Sequence, residues 1–132
     1  MSKIIELIQA LPNLLPLQGA TEIAISDAEL QLKVIFSDEY KEYLSVYGAI
    51  IADGLEFTGI AKSKSRNVIS LTQREWNENL NVPHSMYVIE EPDDEGTVIW
   101  QDKTGTIYQT SPNSQPRKIS KSLAEYLSGF KK

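Results

Sequence analysis

The segment from Phe36 to Ile60 does most to restrict what this chain can become. Ser37 is placed to cap a helix, and Asp38 and Glu39 bring negative charge to its positive end. Tyr40, Tyr43, Leu44 and Tyr47 then recur at i, i+3, i+4 and i+7 and form one apolar, aromatic stripe. Gly48 stands where a left-handed C-cap is wanted. Ala49–Ile51 and Leu55–Ile60 follow as candidate strands, with Asp53-Gly54 as the turn between them. A helix with so aromatic a stripe must bury it against another layer, and the hairpin that follows supplies one.

The remaining elements extend this pattern. Ser2 is positioned to cap a first helix over 3–11, with Ile4, Ile8 and Leu11 on one face and Pro12 ending it. Asn13 to Ala24 reads as a linker or partly extended loop. Ser26-Asp27-Ala28-Glu29 has the form of a capping box, with Ile25 and Leu30 as its hydrophobic staple. That helix should carry Leu30 and Val34 on one stripe and end near Ile35. Asn67–Asn79 reads as a further helix, closed by Val82-Pro83. A meander follows: Met86–Glu91, Thr97–Gln101 and Thr106–Thr110, the last two joined by a turn in which Gly105 takes positive φ. Ser120 should cap a closing helix whose Leu123, Tyr126, Leu127 and Phe130 dock on the sheet. Strands this close together leave no room for parallel crossovers. The expected fold class is therefore α+β: a single domain over 1–132, mostly antiparallel sheet with helices packed against it.

Composition narrows the chemistry. With 132 residues the chain can bury a core without staples. It has no cysteine, so disulfides and thiol catalysis are excluded, which suits a reducing, cytoplasmic setting. The apolar stretch Ile4–Leu17 is interrupted by Glu6, Gln9, Pro12 and Pro16 and reads as a short helix rather than a leader. No run is long enough to span a membrane. A net charge of −5 disfavours direct nucleic-acid binding. His84, the one histidine, has neither a G-x-S-x-G nucleophile nor further metal ligands beside it in the sequence. Glu91, Asp93, Glu95 and Gly96 fall at EF-hand spacings, but the flanks are strands and Asp102 replaces the bidentate glutamate. Nothing marks a pair of carboxylates for glycoside hydrolysis, and Gly54-x-x-x-x-Gly59 lacks the lysine of a phosphate loop. No catalytic residue, metal or cofactor is implied, and the chain is expected not to be an enzyme.

The order of these parts resembles the SUKH superfamily, which includes bacterial immunity proteins and fungal cell-wall-assembly regulators. The resemblance rests on the capped helix at Ser26, the Ser37-to-Gly48 helix, the Gly54-to-Gly59 strand, Val82-Pro83 before the meander, and Asp102-x-x-Gly105-x-Ile107-Tyr108. It implies an α+β domain and, for a bacterial member, an immunity protein that binds and neutralises a cognate toxin domain such as a nuclease. The alternative it implies is a non-catalytic scaffold or regulatory interaction module. It carries over no site residues.

Candidate partner-binding residues therefore come from charge and aromaticity. The stretch 22–56 holds eight acids against two lysines, and Glu90, Glu91, Asp93, Asp94 and Glu95 crowd together later. Such a surface steers a basic partner. The first candidates are Asp93, Asp94 and Glu95 at a hairpin tip, with Asp53 and Glu56 on the earlier strand pair. Tyr87, Trp100 and Tyr108 are expected to cluster across adjacent strands. They either pack in the core, the favoured reading for Trp100, or, facing outward, Tyr87 and Trp100 anchor the interface. If the tip is the contact, Asp93→Asn, Asp94→Asn and Glu95→Gln together should slow partner association and flatten its salt dependence. An unchanged on-rate at low salt, followed by surface plasmon resonance, places the interface elsewhere.

Overall fold

The computed structural model describes residues 3–92 and 96–130. Among these, five helices and seven strands follow one another. They are α1 (Lys3–Gln9), β1 (Leu15–Gln18), α2 (Glu22–Leu32), α3 (Asp38–Val46), β2 (Tyr47–Ala52), β3 (Leu55–Phe57), α4 (Val68–Glu78), β4 (Tyr87–Glu90), β5 (Val98–Gln101), β6 (Ile107–Thr110), β7 (Arg117–Ser120) and α5 (Leu123–Phe130). The strands form two antiparallel sheets, ordered β1-β2-β3 and β4-β5-β6-β7. The expected α+β class is observed.

The helix at Ser37 forms for the reasons its sequence advertises. The Ser37 hydroxyl accepts the Tyr40 N–H at 3.0 Å, and Tyr40, Tyr43 and Leu44 are fully buried. The role expected of Gly48 is corrected. Tyr47 ends the helix in an extended conformation, and Gly48 lies within β2 without positive φ. Its missing side chain serves close approach instead. A Cβ there would stand 2.5 Å from the Gln18 carbonyl oxygen of β1. Gly59 is tighter still, for its Cβ would collide with the Gly48 carbonyl.

Three local expectations differ from what is observed. The helix α2 starts earlier, capped by the Thr21 hydroxyl, which accepts the Ala24 N–H at 3.1 Å. Ser26 is thus interior, and the capping box is not used. The helix stops at Leu32 because Lys33 takes a left-handed conformation and its N–H bonds back to Glu29 and Leu30. Ile25, Ala28 and Leu32 face the core, whereas Leu30 is exposed and no staple forms. The expected linker contains β1, an edge strand that tolerates Pro16 because one side of it needs no ladder partner. Ser120 belongs to β7, and Ser122 caps α5 by accepting the Glu125 N–H at 3.0 Å. β7 lies at a sheet edge and presents Arg117 and Lys118 to solvent, charges that discourage further strand pairing. The caps expected at Ser2 and the side chain of Phe130 lie outside the described residues.

The two sheets meet at Thr58, just past β3. The register of β4 shifts between Val88 and Glu90, and the Ile89 carbonyl accepts the Thr58 N–H at 2.8 Å. The Thr58 hydroxyl donates to the Val88 carbonyl at 2.7 Å, and Tyr43 donates to the Thr58 carbonyl at 2.9 Å. Burial raises the hydroxyls of Tyr40, Tyr43 and Tyr87 well above their ordinary value, so all three act as neutral donors. Phe36, Tyr40, Tyr43, Phe57 and Tyr87 pack ring against ring around this seam, with centroids 4.8 to 6.0 Å apart.

Leu44→Ala should cost about 2–5 kcal/mol through the cavity it opens, read as a shift of the urea midpoint. Gly59→Ala should abolish the cooperative transition, since the added methyl meets rigid backbone. Gly129→Ala, whose Cβ meets nothing within 4 Å, should leave that transition intact.

Candidate protein-binding site

The fold brings part of the expected acidic surface together. Glu56 on β3 and Glu90–Glu91 at the end of β4 line one depression of about 310 Å³, together with Ile51, Leu55 and Pro92. The two segments are neighbours because the β4 shift places Glu90 opposite the free side of β3. The Glu90 carboxylate accepts the Glu56 N–H at 3.3 Å and the Tyr126 hydroxyl at 2.7 Å. It therefore ties β3 to α5. Asp53 sits on the β2–β3 turn, exposed, where its carboxylate accepts the Asn13 amide at 2.7 Å. Asp93, Asp94 and Glu95 lie outside the described residues.

These carboxylates are not left to repel one another. Arg74 of α4 donates to Glu91 Oε2 at 2.7 Å and to Glu75 at 3.0 Å. Arg66 lies 4.0 Å from Glu56, and its Nε and Nη2 are buried without a hydrogen-bond acceptor among the described residues. The acidity of this edge is thus offset at its base by two arginines.

Tyr87 and Trp100 have no exposed surface, so the core reading favoured for Trp100 holds and the outward alternative, in which both anchor an interface, is corrected. Every residue of β4 and β5 is buried, because both faces of these strands are covered. Of the expected cluster, Trp100 and Tyr108 stand opposite each other across β5 and β6, but Tyr87 does not join them. Tyr87 pairs with Gln101 and Trp100 with Val88, which sets the two rings on opposite faces of the sheet. Tyr87 joins Phe36 and Tyr40, while Trp100 Nε1 donates to the Thr110 hydroxyl at 3.0 Å. His84 is exposed and stacks on Trp76 at 4.2 Å, with the planes 10° apart. Among the described residues, no three His, Cys, Asp or Glu side chains converge to hold a metal ion.

One exposed feature went unread in the sequence. Ile23 and Leu30 project from the outer face of α2, and Ile35 follows just past its end. Starting the helix at Thr21 instead of Ser26 reveals it, because positions 23 and 30 then fall opposite 25, 28 and 32.

The comparisons agree with this architecture. The family model described as SUKH_5, SMI1-KNR4 cell-wall, matches residues 1–129. The chain belongs to this family. No curated protein matches it. A crystal structure of a protein from Pseudomonas syringae pv. tomato is similar at a TM-score of 0.75 and 18% identity, covering 97% of this chain and 96% of that one. The likeness is one of fold. The family is generally non-catalytic and suggests protein–protein interaction. No helix among the described residues is long and apolar enough to cross a membrane.

Burial outweighs the bonds to Glu90 and raises its carboxyl above the ordinary 4.5. The folded protein then keeps a proton that the unfolded chain releases near that pH. The stability this group supplies is complete below the unfolded value and is lost as pH rises through the folded one. Glu90→Gln cannot ionise and should remove this slope. In urea titrations from about pH 4 to about pH 8, the wild type should lose stability relative to the variant as pH rises. Parallel curves would show that Glu90 titrates normally.

Proposed function

We propose that this chain is an immunity protein that binds a cognate bacterial toxin domain and blocks it sterically and electrostatically. Membership of the SUKH family over residues 1–129 carries the reading, since members are often immunity proteins. The net charge of −5 supports it, because a toxin that cleaves nucleic acid needs a basic cleft. Asp53 and Glu56, with Asp93, Asp94 and Glu95, are the first residues expected to meet such a cleft. Their role is steering, in which long-range attraction speeds encounter. Action is expected inside the cell that makes the toxin, without catalysis by this chain.

The family description refers to the cell wall, which favours a second reading as a regulatory interaction module. The two separate in one experiment. Each candidate toxin domain encoded near this chain in its genome is expressed in a sensitive host with and without it. Growth restored by the chain, together with a stoichiometric complex on gel filtration, is the expected result. Unrelieved toxicity with no complex would favour the regulatory module.

A further inference from the structure

An interface needs an apolar anchor as well as charge, and Tyr87 and Trp100 are buried and supply none at the acidic edge. The outer side of α2 has both. A surface helix normally turns polar residues outward. Here Ile23 is 83% exposed and Leu30 75%, two turns apart on one face, and Ile35 is 58% exposed beyond the C-cap. No packing within the described chain accounts for them.

Leu30 and Ile35 border a groove. One depression of about 450 Å³ is lined by Leu30, Val34 and Ile35, with Lys33 at its side. It shares Ser26 and Glu29 with a second of about 510 Å³ between α2 and α3, which adds Glu22, Lys41 and Glu42. The junction is held in shape by the Glu29 carboxylate, which accepts the Phe36 N–H at 2.9 Å. Lys41 lies 3.9 Å from the same carboxylate, so its charge is partly spent. Over α2, α3 and their link there are six acids and two lysines; Glu39 is drawn inward to cap α5, and Glu29 is engaged by Phe36 and Lys41, which leaves Glu22, Asp27, Asp38 and Glu42.

We propose that the α2–α3 groove docks a cationic amphipathic segment of a partner protein. An apolar side chain of that segment sits on Leu30, Val34 and Ile35, and its lysines or arginines face Glu22 and Glu42. The inference rests on reading the chain as a protein-binding module. Charge selects this occupant, because the acids repel anionic lipid surfaces and nucleic acid alike. Apolar contact with flanking charge is also how amphipathic helices are held in grooves.

The probe is a helical peptide of leucine and lysine, about 18 residues long, titrated into the isotope-labelled protein and followed by NMR. Saturable shifts confined to residues 22–45, absent with a leucine–glutamate peptide of the same length, are expected. Leu30→Ser with Ile35→Ser should weaken binding by about tenfold or more with the fold intact, since both side chains are exposed. Shifts centred on Asp53 and Glu56, no saturation, or equal binding by the double variant would overturn the groove. Sedimentation of the free protein should show a monomer. A dimer dissolved by the double variant would instead assign the face to a second copy and overturn the proposal. Failure of toxin protection with groove-specific peptide binding would remove the immunity reading and leave the groove standing. Protection retained in full by the double variant would do the reverse.

Discussion

The rest of the structure depends on the side chain of Gln101. It is wholly buried on β5, and each of its polar groups is used. Its oxygen accepts the Ser37 and Tyr87 hydroxyls, both at 3.0 Å. Its amide donates to Glu39 and to the Gly105 carbonyl, both at 3.1 Å. The same Ser37 caps α3, and the same Glu39 caps α5 by accepting the Leu123 and Ala124 N–H groups. One amide therefore fixes the starts of two helices relative to the β4–β5 pair. A buried polar network with every member satisfied specifies a single arrangement, because any slip leaves a group unpaired at a cost.

Thr58 performs the matching task on the other side of α3. It joins the two sheets through its backbone and its hydroxyl and takes bonds from two tyrosines that α3 buries. The helix with the aromatic stripe is thus clamped at its cap by one network and along its face by another. Glu90 extends the seam toward α5 and closes the free side of β3. Because the exchanges occur at a bulge in β4, the two sheets need not share a continuous ladder to act as one layer.

This division of labour explains how the fold can persist at 18% identity. Core contacts and caps are answered within the chain, so the outer faces of α2 and of the β2–β3 hairpin are free to carry other side chains. Function in such a domain sits on those faces rather than in the fold itself. The exposed apolar residues of α2 and the acids around it are surface choices that the core does not demand.

The α3 helix, the β2–β3 turn at Gly54 and the meander from β4 to β6 were legible in the sequence, because capping, aromatic spacing and turn glycines act over a few residues. The acidic bias of the candidate site was legible for the same reason, as was the absence of a nucleophile motif. Three things were decided only in space. Edge strands β1 and β7 exist because neighbours offer them a ladder, and their own residues carry no alternation strong enough to show it. Tyr87 and Trp100 became core because both faces of β4 and β5 are covered, which periodicity along one strand cannot report. Thr21 prevailed over Ser26 as the cap of α2 because that start turns Ile25, Ala28 and Leu32 inward together. The sequence by itself determined the α3 helix, the β2–β3 turn, the β4–β6 meander and the sign of the surface. Tertiary structure decided which faces are buried, since burial depends on what lies opposite, and that partner is distant along the chain.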